Sequence, residues 1–341
     1  MRIIRQRAYA RAGLVGNPSD GYHGKTISVI VKNYFAEVTL YEWERIELLL
    51  SQEDLSRFDS LDELVEDVEL HGYYGGIRLV KAAIKRFADF CRQRRAAGES
   101  GYELSDQRFA IRYTTNIPRQ VGMAGSSAII VATLRALMEF YGVRIPQPIL
   151  PTLALSVERD ELGIGAGMQD RVIQVYGGLV YMDFAKAQRQ QQSGYDFYHY
   201  ESLDPELLPP IYLAYSKDRS EPTEVVHNPL RARYDQGDPA VVAAMDEFAG
   251  YAASAREALL NRDYQLLDQL INRNFDLRRQ IINLSPSHVR MVETARAVGA
   301  TAKYSGSGGA IIGTYRDDSM LRNLESELGK INCVVVKPQV V

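Results

Sequence analysis

Gly122-Met123-Ala124-Gly125-Ser126-Ser127-Ala128 runs straight into an apolar pattern of helical period. Ile130, Leu134 and Leu137 fall on one face and Gly142 supplies a stop, which predicts a helix over 127–141. A short β-rich run, Phe109 to Tyr113, comes just before the loop. Strand, glycine loop and helix in that order exclude an all-helical or all-sheet chain. The first N–H groups of a helix have no partner within it and lie at the positive end of its dipole. Glycines let a ligand approach the backbone there, so the segment suits an anion, phosphate above all. The same residues also serve as a plain N-cap behind a flexible loop, and spacing alone leaves both readings open.

Two further glycine loops frame this one. GNPSDGYHGK, residues 16–25, follows a strand-like run over 1–16 and is dense in turn-forming residues. Gly306-Ser307-Gly308-Gly309 lies between strand-like runs at 302–305 and 310–315, and reads either as a close backbone approach to a ligand or as a tight hairpin. Other β-rich runs are 26–31, 35–41, 178–184, 210–215 and 333–336. Helical spacing covers 77–90 (Ile77, Val80, Ile84, Phe87), 148–161, 263–282 and 285–299. Asp238-Pro239 opens another helix, with Asp as cap and Pro in the first turn. The 341 residues are enough for about two domains. Helices and strands mix without regular βα alternation, which predicts an α+β fold. The polar, Gln-rich stretch 186–205 reads as a linker or surface loop between domains at 1–185 and 206–341.

Composition excludes several function classes. With 46% hydrophobic and 24% charged residues, disorder is not the main state. Lys and Arg number 40 against 43 Asp and Glu, a formal charge of −3, so nothing draws the whole chain to nucleic acid or to anionic membranes. An anionic ligand must be held by a local site. The most apolar helical stretch, 128–137, is interrupted by Arg135 and is too short to span a bilayer. The first residues, MRIIRQRAYARAG, are basic without an apolar core, unlike a signal peptide. Cys91 and Cys333 lie far apart and are expected as reduced thiols in a cytoplasmic protein. His23, His71, His199, His227 and His288 show no metal-ligand spacing, and there is neither an HExxH nor a GxSxG motif. Gly24-Lys25-Thr26 looks like the end of a phosphate-binding P-loop, but Ser19 stands where that motif needs its first glycine. Lys25 and Thr26 are expected to begin a strand instead.

Glu158 and Asp170 flank a second glycine-rich stretch, Gly163 to Gly167. Two carboxylates so placed can divide labour, one holding Mg²⁺ and one orienting or deprotonating a hydroxyl. Acidic pairs are also common on surfaces, and Asp160 and Glu161 read as a solvated helix end.

In order, these segments resemble the motifs of the GHMP kinases. The family's second motif, P-x-x-x-G-L-G-S-S-A, stands here as Pro118 through Ala128, with Met123-Ala124 in the Gly-Leu region. The first appears as Ala10-Arg11 to Gly16-Asn17-Pro18-Ser19-Asp20, the third as Lys303 to Ala310. Within the family the chain resembles the plant-type glucuronokinases from about residue 8 to 315. That resemblance implies a two-domain fold, with an N-terminal domain like ribosomal S5 domain 2 and a ferredoxin-like C-terminal domain. It implies ATP and Mg²⁺, and transfer of the γ-phosphate to the anomeric hydroxyl of D-glucuronate. It makes Asp170 the catalytic aspartate and Arg11 its basic partner. It makes Glu158 and Ser127 the metal ligands. Pro118, Gly122, Met123, Ala124, Gly125, Ser126, Ser127 and Ala128 become the ATP loop, with Gly306, Ser307, Gly308 and Gly309 closing over it.

One position departs from the family. Galactokinase-type enzymes carry Glu after the first-motif glycine, and here that residue is Asn17. A neutral Asn tolerates a substrate carboxylate better than Glu does. Asp20 is the expected hydroxyl ligand. Arg278, Arg279 and Arg119 are candidates for the carboxylate, because Arg can hold one bidentately. A solvated helix face is the competing reading for Arg278 or Arg279. The rival functions are the same fold acting on galacturonate, galactose or a heptose, and a non-catalytic sugar or nucleotide sensor. A sensor is expected to have lost its acid or metal ligands, yet Arg11, Ser127, Glu158 and Asp170 are all present.

Overall fold

A computed structural model describes residues 2–50, 75–217 and 230–341. His71 and His227 lie outside those residues.

The first half is built on one long strand. β1 (Ile3–Val15) pairs antiparallel with β2 (Lys25–Glu42). The β-rich runs 26–31 and 35–41 are thus one strand, not two. The register jumps between Tyr9 and Ala10, where Lys32, Asn33 and Tyr34 bulge out opposite β1. Such a bulge bends a strand without ending it, and periodicity read either side of it looks like two elements. On its other edge β2 carries β4 (Phe109–Thr115) along its C-terminal half and β5 (Leu179–Asp183) along its N-terminal half. A short β3 (Glu47–Leu48) runs parallel beside β4.

The helices α1 (Gly76–Ala96), α2 (Gly125–Tyr141), α3 (Leu150–Ser156) and α4 (Gln169–Tyr176) accompany this sheet. Ile130, Leu134 and Leu137 of α2 are fully buried, as the spacing predicts. Truncating one of them to Ala should cost about 2–5 kcal/mol. The helix expected over 148–161 is α3 followed by a wider π turn at Val157–Glu161. That turn swings Glu158 inward, to 1% exposure. Such single turns recur where helices are bent for function.

The stretch expected as a linker or surface loop is ordered. After a hairpin of β6 (Gln190–Gln192) and β7 (Tyr195–Phe197), β8 (His199–Leu203) pairs with β5 along the edge of the first sheet. Its polar residues mark a solvated edge strand, which polarity alone does not separate from a loop.

The second half begins with β9 (Ile211–Ser216), α5 (Pro239–Leu260), α6 (Tyr264–Ile281) and α7 (Pro286–Ala297), followed by β10 (Lys303–Tyr304), β11 (Ala310–Thr314), α8 (Asp318–Gly329) and β12 (Cys333–Val336). Asp238 caps α5 by accepting from the Ala240 amide. Its antiparallel sheet has the order β10-β11-β9-β12, the fourth-first-third-second arrangement of a ferredoxin-like fold. The main core does not stop at the junction. Leu213, Ala255, Ile271 and Ile312 join the cluster that holds Val29, Val38 and Leu134.

Candidate active site

The last residues of β1 carry Arg11 into the interior, where it is 6% exposed. Its Nε donates to Asp170 Oδ1 at 2.7 Å, and Nη1 donates to the carbonyls of Gly122 (2.6 Å) and Ser305 (3.2 Å). One guanidinium thus ties together all three glycine motifs. Asp170 stands in the first turn of α4 and keeps partial access to solvent.

The 122–128 loop forms the next wall. Ala124 takes a left-handed conformation just before α2, and no side chain caps the helix. Met123 is buried, and its carbonyl accepts from the Arg11 amide. Ala128 is buried, with its amide bonded back to Ala124, and Pro118 is half-buried. Among the described residues the amides of Gly125, Ser126 and Ser127 have no backbone partner outside α2. Such amides behind a glycine loop fit the oxygens of a phosphate chain.

The hydroxyl beside Glu158 is that of Ser126, not Ser127. Ser126 Oγ donates to Glu158 Oε1 at 2.8 Å, while Ser127 is fully buried and donates to the Ala124 carbonyl. The first residues of a helix diverge by about 100° each, so adjacent serines cannot both face one carboxylate. Glu158 Oε2 accepts from Arg171, whose other nitrogen donates to the Gly167 carbonyl at 2.7 Å and stands 3.5 Å from Asp170 Oδ2. Burial, with repulsion from Arg11, lowers Arg171 to about 9. A buried carboxylate and a hydroxyl are hard oxygen donors of the kind Mg²⁺ uses with phosphate oxygens, so the donor set fits that ion.

The third motif locks against the second. A Cβ on Gly306 would lie 2.2 Å from the Gly122 carbonyl and 2.9 Å from Arg11 Nη1, so only glycine permits this approach. Arg278 holds the loop from behind. It is 2% exposed, and its Nη1 and Nη2 donate to the carbonyls of Gly306 (2.8 Å) and Ser307 (3.3 Å). Burial lowers it to about 10. Gly308 packs against His288, and Gly309 is buried.

From the 16–25 loop, Asp20 lies against Gly167, where a Cβ would meet its carboxylate at 2.1 Å, and Asp20 accepts from the Gln169 amide. Burial, reinforced by the charge of Asp170, raises Asp20 to about 6. Asn17 is placed differently from its expected role. It is 4% exposed, and its Oδ1 accepts from the buried Lys303 ammonium, which also donates to the carbonyls of Gly13 and Tyr304. It braces the first loop from inside instead of lining an open wall. Arg278 likewise serves the loop backbone, and Arg279 is an exposed partner of Glu293 at 2.9 Å on the helix surface. Arg119 is exposed within the second loop. The structure thus gathers Arg11, Asp20, Glu158 and Asp170 and leaves Arg279 apart.

Residues 78–178 match the family described as GHMP kinases N terminal domain, and residues 255–333 match GHMP kinases C terminal. The chain is 43% identical over 347 residues to a protein named Probable glucuronokinase 2 of Arabidopsis thaliana, covering 98% of this chain and 90% of that one. The chain belongs to the GHMP kinase family. Glucuronokinase 1 of the same plant is also 43% identical, over 91% of this chain and 84% of its own. In fold, the crystal structure of Lactococcus lactis galactokinase complexed with galactose superposes with a TM-score of 0.73 at 15% identity, covering 99% of this chain and 94% of that one.

As a GHMP kinase the chain uses ATP. Two residues of its site escaped the sequence reading. Arg171 follows Asp170 directly, and a charged residue in a helix with buried Val172 and Ile173 is a signal in itself. Lys303 heads the third motif, in a strand whose neighbours are all buried.

Proposed function

We propose that this chain is an ATP-dependent sugar-1-kinase that phosphorylates the anomeric hydroxyl of D-glucuronate, giving glucuronate 1-phosphate and ADP. The likeness to the two Arabidopsis glucuronokinases, 43% over nearly the whole chain, carries this reading. The geometry supplies the machinery for it. Arg11 engages Asp170 Oδ1, leaving Oδ2 as the oxygen with capacity to accept a hydrogen bond. The sugar hydroxyl binds there. As its oxygen bonds to the γ-phosphorus, its proton passes to Asp170, the bond to the β-phosphate oxygen breaks, and ADP leaves. Arg11, fixed on two carbonyls, holds Asp170 in orientation and adds positive charge beside the transferring group. The amides of Gly125 to Ser127 bind the phosphates.

Glu158 with Ser126 would hold Mg²⁺, which supplies charge neutralisation to the phosphate oxygens when bound. Arg171 keeps Glu158 aimed. Asp20 accepts from a sugar hydroxyl. We place the enzyme in the cytoplasm, which two buried cysteines that do not pair with each other favour. Among the described residues no helix is long and apolar enough to cross a membrane.

The test is ADP release with Mg-ATP and a panel of D-glucuronate, D-galacturonate, D-glucose, D-galactose and a heptose. The expected result is turnover strongly favouring glucuronate, with an acid-labile 1-phosphate as product. Preference for another sugar would overturn the acceptor assignment, and ATP binding without turnover on any of them would overturn the kinase reading.

A further inference from the structure

A sugar acid brings a full negative charge into the cleft, and a charge taken from water needs a cation or several donors. The buried cations near the reacting pair are already committed. Arg11 holds Asp170 and two carbonyls, and Arg171 holds Glu158 and Gly167. Arg278 holds Gly306 and Ser307, and Lys303 holds Gly13, Asn17 and Tyr304. Lys25 pairs with Asp183 at 3.1 Å.

Among the described residues, Arg231, Lys186 and His23 stand around the 16–25 loop with their side chains exposed. Arg231 Nη1 donates to the carbonyl of Gly21 at 3.1 Å, one residue from Asp20. Its Nε donates to Asp235 at 3.0 Å, and its guanidinium lies 5.6 Å from the centre of the Tyr22 ring. The head group is therefore held at one edge, and among the described residues no partner engages Nη2. Burial and then the charges of Lys186 and Arg231 lower His23, so the positive charge at this rim is that of the two cations.

We propose that Arg231 binds the carboxylate of the acceptor sugar, with Lys186 adding to the positive rim, and so sets specificity for a uronate over neutral sugars. This rests on the uronate kinase reading above. Residues 230–235 are helical and come from the second half of the chain, whereas Asp20 comes from the first. The carboxylate end of the sugar would then touch one half and its hydroxyls the other.

The test compares D-glucuronate with D-glucuronamide, its neutral amide, as substrate or as competitive inhibitor of the full-length enzyme. Wild type should prefer the acid by about 10–100-fold, the range of one charge-assisted contact. Arg231→Met should collapse that preference to within about threefold while the ATP KM and melting temperature hold, and Arg231→Lys should restore part of it. A preference that survives Arg231→Met places the carboxylate elsewhere. A parallel loss on both ligands, with the ATP KM moving too, makes Arg231 only a brace for the 16–25 loop. Either result overturns the proposal. Should Arg231→Met not fold, exposed Lys186→Gln decides. It should raise the glucuronate KM about 2–5-fold at low salt and not at high salt, and no rise overturns the shared rim. Wild type inert toward glucuronate but active on a neutral sugar refutes the uronate reading itself, and that result needs no variant.

Discussion

Gly306→Ala tests whether the second and third glycine motifs are interlocked. The added Cβ would sit 2.2 Å from the Gly122 carbonyl oxygen, where real Cβ contacts essentially never fall below 3.0 Å. The two loops must therefore separate by about 0.8 Å, since both contacting groups are held by backbone and no rotamer change relieves them. The same Cβ lies 2.9 Å from Arg11 Nη1, which is bonded to that carbonyl at 2.6 Å. Opening the loops thus stretches the bond that positions Arg11, and through it Asp170. A misplacement of about 1 Å near the reacting atoms costs on the order of 100-fold in rate. Overpacking costs stability about 1–3 kcal/mol. Steady-state kcat with saturating Mg-ATP and glucuronate, measured beside a thermal melt, separates the two effects. We expect kcat to fall about 100-fold with a melt lowered by a few degrees. A variant within threefold of wild-type kcat, with an unchanged melt, refutes the interlock.

Four further outcomes follow from the same geometry. Asp170→Asn should abolish transfer, by about 10³-fold or more, while ATP affinity measured by titration stays within a few-fold; near-normal turnover would remove Asp170 from its catalytic role. Glu158→Gln and Ser126→Ala should each raise the Mg²⁺ concentration for half-maximal rate, about tenfold and several-fold, while Ser127→Ala should leave it within twofold; an equal effect of the two serines would refute the assignment to Ser126. Asp20 is raised from 3.8 to about 6, so its ionisation destabilises the fold above pH 6 and the penalty fades as pH falls toward 3.8. Asp20→Asn should therefore melt higher than wild type at pH 8, the gap closing between pH 6 and pH 4, whereas a pH-independent gap would contradict the cause given. Gly250→Ala, on an exposed face of α5 with nothing within 4 Å of the new Cβ, should stabilise by about 0.5–1 kcal/mol without altering kcat.

Local signals in the chain carried most of the elements. The apolar spacing of α2, the Asp238-Pro239 start of α5 and the Gly142 stop each act within one or two turns, and the structure has them where the pattern puts them. The misread elements are those whose identity depends on a distant partner. β2 looks like two strands because its bulge is defined only against β1. β8 looks like a loop because its pairing with β5 lies outside its own sequence.

The candidate site divides in the same way. By itself the sequence determined the chemistry on offer: three glycine motifs in order, an arginine before the first, and two carboxylates flanking a glycine stretch. Residue type and local spacing suffice for that, because backbone freedom and charge are properties of single residues. Only the tertiary structure decided which groups face one another. It turned Ser126 rather than Ser127 toward Glu158, gave Glu158 its partner in Arg171, and spent Arg278 and Asn17 on holding loops. Those choices follow from burial. A charge or amide taken from water must find a partner in the interior, and which partner is within 3 Å depends on segments far apart in the chain.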